Sequence, residues 1–264
     1  MKQKRRIKAT IVGLVMIGLM AGCIQMPGKP NPEERWKPLE ELKDFTQLYA
    51  QNCSGCHGAN GRQGASQSLN DPLYLALVGD EALRQLIAKG VPGTSMPGFA
   101  VEAGGCLTSA QIDVLVTGMR SQWAQPAQFS GVDLPPYSLQ DAVAKGSGSG
   151  DAQRGAEVYS IYCAHCHGEG GRGGDKAGSI VDPNYLRLVS DQSLRTTVIA
   201  GRPDLKKPDW RSNLSGQAGQ ASSGQVMTPQ QISDVVSWMA SLRGSSAVQE
   251  SSEVKPATAV GERR

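Results

Sequence analysis

The sequence is poor in histidine and in aromatic residues. It has 3 His and 3 Phe among 264 residues, and Phe, Trp and Tyr together make up 5% of the chain. It also has 32 Gly, so that its own side chains would build only thin hydrophobic cores. A large, flat, apolar cofactor inside each core would make up for this shortage.

A strong charge of one sign and a long apolar run are also lacking. The formal net charge is +3, which gives no indication of nucleic-acid binding. The apolar stretch at residues 9–22 is shorter than the roughly 20 residues that cross a bilayer. Five basic residues precede this stretch within the first eight positions. This order is typical of a signal peptide for export.

The end of the apolar stretch resembles a bacterial lipobox. It reads Leu19-Met-Ala-Gly-Cys23, with Met20 where Leu is usual. The resemblance implies cleavage before Cys23, lipidation of that residue and a lipid anchor on the periplasmic side of a bacterial membrane. A plain signal peptide and an uncleaved anchor are the alternatives. Ile24 is not the Asp that commonly retains lipoproteins at the inner membrane, yet inner and outer membrane both stay open.

The rest of the chain contains an internal duplication. Cys53-Ser-Gly-Cys-His57 recurs as Cys163-Ala-His-Cys-His167, and from Asp71 to Pro97 the two copies align without a gap. Both copies predict a helix before the motif (around 40–52 and 152–162), a middle helix (near 80–89 and 191–200) and a closing amphipathic helix. Asp151 is the expected N-cap of the helix at 152–162, and Thr108 and Thr228 are those of the closing helices. No strand pattern competes, so each copy is predicted to be a small all-α unit.

Composition suggests how the chain is divided. Residues 125–150 combine three Pro with a Gly/Ser run, which is typical of a linker that is partly stiff and partly flexible. The predicted segments are a signal peptide (1–22), a lipid-anchored tether (23–39), domain 1 (40–124), the linker (125–150), domain 2 (151–243) and a disordered tail (244–264).

The duplicated motif carries the chemistry. C-x-x-C-H is the attachment site of a c-type haem, where Cys53 and Cys56, and again Cys163 and Cys166, form thioethers with the haem. The next residue, His57 or His167, is then the proximal iron ligand. A zinc site would need further Cys or His ligands that this sequence does not supply. A redox disulfide is the remaining alternative.

Each copy resembles a class I cytochrome c domain, and the whole chain resembles the two-domain dihaem cytochromes c of bacterial respiratory chains. The resemblance implies that a Met on a loop before the last helix binds the far side of the iron. Met96, followed by Pro97, holds that position in the first copy. It implies a His57/Met96 site of relatively high potential.

The second copy departs from this pattern. Lys207 stands where the first copy has Met96. Three interpretations are open: Lys207 binds as a neutral amine, Met227 binds instead, or the site is open or holds water. His165 is trapped between the two haem-linked cysteines, so a bis-His site is nearly excluded. Cys106 aligns with Val226 and is predicted to be a small buried residue.

The resemblance implies single-electron transfer, by a carrier or a subunit of a larger complex rather than by an enzyme. The implied partners are a quinol-oxidising complex, a small cytochrome or cupredoxin, and a terminal oxidase. The alternative is a dihaem enzyme of the peroxidase or thiosulfate dehydrogenase type that uses the unusual second haem. A redox sensor is a third class, although no output domain is visible.

Overall fold

Regular secondary structure in the computed structural model is helical. The structure describes residue 38 and residues 41–147, 149–211 and 226–243. Within these ranges it contains no strand beyond two isolated β-bridges, which confirms the predicted all-α class. No helix of the described ranges is long and apolar enough to span a membrane. The signal peptide, Cys23, most of the tether and the tail lie outside the described residues.

Helices follow one another in the same order in the two copies, here called repeat one and repeat two. Repeat one contains α1 (Phe45–Asn52), α2 (Ser54–His57), α3 (Pro72–Leu77), α4 (Asp80–Lys89) and α5 (Ser109–Trp123). The segment between the repeats contains α6 (Leu139–Ala144). Repeat two contains α7 (Ala152–Tyr162), α8 (Ala164–His167), α9 (Pro183–Leu188), α10 (Asp191–Ala200) and α11 (Pro229–Ser241).

Side-chain caps fix where the long helices begin. Thr108 and Thr228 each accept a hydrogen bond from the backbone of the residue three positions on, and in both cases a Gln side chain accepts the return bond. These two capping boxes confirm the predicted starts of α5 and α11. The first helix is shorter than the predicted 40–52, because Asp44 caps it and it begins at Phe45.

Each repeat packs its first helix against its last, with a glycine opposite an aromatic residue. In repeat one, a Cβ on Gly118 of α5 would lie 2.1 Å from the ring of Phe45 on α1. In repeat two the glycine is on the first helix, where a Cβ on Gly155 would lie 2.7 Å from Trp238 of α11. The aromatic side chain has therefore changed helices between the repeats, while the close approach of the helices is kept.

The segment between the repeats is more ordered than its composition predicts. It contains a 3-10 turn at Pro126–Phe129 as well as α6. Arg195 of α10 has no exposed surface and donates from Nε and Nη2 to the carbonyl oxygen of Pro136, at 3.0 and 2.8 Å. These bonds satisfy a buried carbonyl and attach the segment to repeat two.

The repeats contact each other directly. The described residues from Leu42 onward belong to one compact unit that includes both repeats. Leu73 of α3 in repeat one is 4% exposed and belongs to the hydrophobic core of repeat two. In return, Ala200 at the end of α10 lies in the core of repeat one. The two cores therefore share side chains.

Candidate functional site

Both C-x-x-C-H motifs lie on a short helical turn that directly follows a longer helix. Cys53 is the C-cap of α1, and Cys56 and His57 lie on α2. A tyrosine one turn before the motif fixes this arrangement, since Tyr49 donates from its hydroxyl to the carbonyl oxygen of Gly58 at 2.9 Å. Tyr159 makes the equivalent bond to Gly168 in repeat two.

The two predicted proximal histidines are held by backbone carbonyls. The Nδ1 atom of His57 lies 2.7 Å from the carbonyl oxygen of Gln67, and that of His167 lies 2.8 Å from the carbonyl oxygen of Gly178. A carbonyl only accepts, so Nδ1 carries the proton and Nε2 is left with its lone pair. Burial lowers the pKa of both imidazoles. Each ring is therefore held in the neutral form and the tautomer that a metal ligand needs.

The cysteines do not have the electrostatics of a redox dithiol. Burial, followed by the nearby Cys56, raises the pKa of the Cys53 thiol to about 12. Burial also raises the pKa of Cys163 to about 11, although the charge of Lys207 acts in the opposite direction. Reactive C-x-x-C thiols have a lowered pKa. Two thiols beside an oriented neutral imidazole instead fit the donor set of a covalently attached haem.

The loops that carry Met96 and Lys207 share one backbone hydrogen bond and the glycine that precedes each loop. The amide of Val91 donates to the carbonyl of Met96 at 3.0 Å, and the amide of Arg202 donates to that of Lys207 at the same distance. A glycine with positive φ, Gly90 or Gly201, ends the preceding helix; a Cβ on either would lie under 3 Å from backbone atoms of the loop. Lys207 therefore lies at the place in its repeat that Met96 has in repeat one.

Hydrogen bonding also settles which residue corresponds to Met227. The amide of Leu107 donates to the carbonyl of Phe99 at 2.8 Å, and that of Met227 donates to Trp210 at 3.0 Å. Leu107 and Met227 are both buried in the cores of their repeats. Met227 therefore has a packing role equivalent to that of Leu107.

The Lys207 amine lies close enough to the haem motif of its own repeat for its charge to act toward a lower pKa of Cys163 and His167. Nζ donates to the carbonyl oxygen of Thr197 at 2.7 Å. Burial lowers the pKa of Lys207, while the nearby Cys163 and Asp209 act to raise it. A lowered pKa makes the neutral, ligating form of an amine easier to reach.

Two other residues of the sequence predictions, His165 and Cys106, have the following surroundings. His165 is exposed, and its Nε2 lies 2.5 Å from Nζ of Lys176. Cys106 is exposed, and its Sγ lies 3.7 Å from Oδ1 of Asn52. The prediction that Cys106 is buried was therefore wrong. Its aligned partner Val226 is also exposed, at 55%. In both repeats this position directly precedes a buried core residue, Leu107 or Met227, and itself faces solvent.

Family models match both repeats. A model described as cytochrome c matches residues 152–243, and a model described as cytochrome c oxidase, cbb3-type, subunit III matches residues 40–117. The chain belongs to the c-type cytochromes, with two cytochrome c domains in tandem. This cytochrome accordingly has two covalently bound haems c, as the paired C-x-x-C-H motifs predict.

Curated relatives resemble the cytochrome over most of its described length. The cbb3-type cytochrome c oxidase subunit FixP of Azorhizobium caulinodans is 27% identical over 67% of this chain and 60% of its own length. The cytochrome bc1 complex cytochrome c subunit of Mycobacterium tuberculosis is 26% identical over 78% of this chain and 72% of its own. Dihydro-heme d1 dehydrogenase of Pseudomonas aeruginosa is 31% identical over 49% of this chain but only 22% of its own length. The cytochrome thus spans about three fifths of the oxidase subunit and a small part of the dehydrogenase.

Proposed function

We propose that this cytochrome transfers single electrons in a bacterial respiratory chain, as a carrier or as a subunit of a quinol-oxidising or oxidase complex. The observation that carries the proposal is the direct contact between two cytochrome c domains. The similarity to FixP and to the bc1 complex cytochrome c subunit supports the respiratory setting. A quinol-oxidising complex, a small cytochrome or cupredoxin, and a terminal oxidase are the proposed partners.

The residues have distinct proposed roles at the two haems. Four cysteines attach the haems: Cys53, Cys56, Cys163 and Cys166. His57 and His167 are the proximal ligands, because each presents Nε2 while a carbonyl holds Nδ1. Each haem supplies a one-electron ferric/ferrous couple. Tyr49 and Tyr159 tie each motif to its preceding helix and so limit the movement of the proximal histidines.

Met96 and Lys207 are the proposed distal ligands. The equivalent positions of the two residues in their loops and the lowered pKa of Lys207 support this assignment. Met227 is the alternative ligand for the second haem, and its burial in the core beside Trp210 speaks against it. A thioether favours ferrous iron, whereas an amine favours ferric iron. Met96 and Lys207 as ligands would therefore give the haem of repeat one the higher reduction potential, so that electrons would pass from repeat two to repeat one.

Near-infrared magnetic circular dichroism of the ferric protein tests the ligands. We expect one band typical of His/Met ligation and one typical of His/amine ligation, and the amine band is lost in Lys207→Met. Lys206→Met is the matched control, since Lys206 is the exposed neighbour on the same loop. Two Met-type bands, one of which disappears in Met227→Leu, would assign the second haem to Met227. Near-equal midpoint potentials in a redox titration would overturn the proposed direction.

A dihaem enzyme is the second candidate function. The similarity to dihydro-heme d1 dehydrogenase favours it, although that similarity covers about half of this chain. The unusually ligated second haem would be its active site, with peroxide or thiosulfate as candidate substrates. The enzyme would be favoured over the carrier if the wild-type protein turned over either substrate faster than Lys207→Met does. Binding of carbon monoxide to the reduced second haem would also favour the enzyme.

The lipid anchor on Cys23 and the periplasmic location are part of the same proposal. They rest on the lipobox-like segment alone. We expect the wild-type protein to fractionate with membranes and to incorporate labelled fatty acid, and Cys23→Ser to lose both properties. Unchanged membrane association without label would favour an uncleaved N-terminal anchor instead.

A further inference from the structure

The distal-ligand loop of repeat two is bound to repeat one by a buried ion pair. Arg202 and Asp204 pair at 2.9 Å, and their side chains are only 10% and 3% exposed. The same two side chains continue into repeat one. Asp204 accepts from the amide of Gln63 at 2.7 Å, and Arg202 donates to the carbonyl of Gly64 at 2.9 Å. We call this set of contacts the clasp.

Backbone conformation on both sides of the clasp is unusual. Among the described residues, Gln63 (φ +62°) and Lys206 (φ +63°) are the non-glycine positions with positive φ. This conformation is strained for a residue with a side chain and persists only where the surroundings hold it. One of the two residues donates to Asp204, and the other directly precedes Lys207. The strain is therefore concentrated in the two loops that the clasp joins.

A second set of hydrogen bonds runs beside the clasp between the two proposed iron ligands. His57 is held by the carbonyl of Gln67, whose side-chain oxygen lies 3.4 Å from the hydroxyl of Thr197 in repeat two. The carbonyl of Thr197 in turn accepts from Nζ of Lys207 at 2.7 Å. The chain of contacts thus joins the proximal ligand of one haem to the distal position of the other.

The clasp belongs to repeat two alone. The aligned positions in repeat one are Val91 and Gly93, neither of which has a charged or hydrogen-bonding side chain. An ion pair this well buried contributes little net stability, since the cost of removing two charges from water offsets their attraction. Its effect is on geometry and on the local field instead.

We infer that Arg202 and Asp204 are positioning residues that fix the distal-ligand loop of repeat two against the proximal loop of haem one, so that the two haem sites are held and tuned as one unit. The inference rests on the proposed two-haem electron transfer. It predicts that residues of repeat two influence the potential of the haem in repeat one.

Charge-specific variants test this. Asp204→Asn leaves the Arg202 cation unpaired near haem one and is expected to raise the midpoint potential of that haem. Arg202→Gln leaves the carboxylate unpaired and is expected to lower it. The potential is followed through the paramagnetically shifted NMR resonances of haem one. The control is Asp113→Asn, which breaks an exposed ion pair with Arg84 inside repeat one and should leave the potential unchanged.

Loss of loop geometry alone would shift the potential in the same direction in both variants. That result, or no shift in either variant, overturns the inference that the clasp tunes haem one. Amide exchange gives a second, independent measurement. The Gln63 amide should exchange at least tenfold faster in Asp204→Ala, because its acceptor is gone; unchanged exchange also contradicts the clasp. The haem potential and the amide exchange are both measured in repeat one, and neither depends on Lys207 ligation or on a redox partner. Failure of this inference can therefore be told apart from failure of the proposed function.

Discussion

Asp71 is a buried carboxylate at the contact between the repeats, and its substitution gives a pH-dependent prediction. The residue is 3% exposed. Its Oδ1 caps α3 by accepting from the amide of Leu73 at 2.9 Å, while Oδ2 has no partner among the residues that the structure describes. Burial raises the pKa of Asp71 from 3.8 to about 6, Arg62 and the α3 amides lower it, and Asp209 of repeat two adds to the increase.

The sign follows from linkage. A raised pKa means that the folded state binds this proton more tightly than the unfolded chain, so the contribution of Asp71 to stability falls as the pH rises from about 4 through about 6. One pKa unit corresponds to 1.36 kcal/mol, which sets the full effect on the order of 1–3 kcal/mol. Asp71→Asn keeps an oxygen for the helix cap and removes the charge. We expect the variant to be more stable than wild type by this amount at pH 8 and equally stable at pH 4.

Denaturant unfolding of the haem-loaded protein at pH 4, 6 and 8 measures this difference. Asp182→Asn is the matched control for the loss of a capping carboxylate, since Asp182 caps α9 in the same way but is exposed. A gain for Asp71→Asn that is the same at all three pH values would refute the reasoning, because a packing effect does not titrate. So would a loss at pH 8.

Two further predictions concern packing. Gly118→Ala should destabilise the protein by about 1–3 kcal/mol through the clash with Phe45, and Phe45→Ala should reduce that cost by at least half in a double-mutant cycle. Thr117→Ala, on the exposed side of α5, is the control. Additive effects of Gly118→Ala and Phe45→Ala on the free energy of unfolding would contradict the proposed clash. Arg195→Leu leaves the Pro136 carbonyl buried without its donor, which should lower the free energy of unfolding by about 1–3 kcal/mol. The variant should also be cleaved by trypsin after Lys145 several-fold faster than wild type. An unchanged cleavage rate would mean that other contacts hold the segment between the repeats.

Local sequence signals predicted the helices well. The middle helices occupy residues 80–89 and 191–200 as expected, because their apolar spacing and the glycine that ends each of them are local features. The capping residues Asp151, Thr108 and Thr228 were also confirmed. The short helices α3 and α9 were not predicted, although an Asp-Pro pair, with Asp as N-cap and Pro at the first position, begins each of them.

Features that depend on distant contacts could not be predicted. The Pro/Gly/Ser composition of residues 125–150 indicates a partly stiff and partly flexible linker, and nothing near it in sequence reveals that Arg195 holds the Pro136 carbonyl. The exposure of Cys106 could not be predicted either, since alignment with Val226 gives the position of a residue in the fold but not its contact with solvent. The contact between Leu73 and the core of repeat two depends on how the repeats dock. Alignment of the repeats could still place Lys207, because the hydrogen bond from Val91 to Met96 has its equivalent between Arg202 and Lys207.

The contact between the repeats changes how a two-haem relay would work. A mobile linker would let each domain meet its own partner and would make transfer between the haems depend on chance encounters of the domains. In the structure, one loop of repeat two carries the proposed ligand Lys207 and also the clasp residues Arg202 and Asp204. Changes within that single loop thus distinguish the repeats both in ligand chemistry and in docking. A duplicated domain with Met96-type loops in both copies would lack the clasp and the proposed difference in ligands, so the proposed direction of transfer and the clasp have a common structural origin.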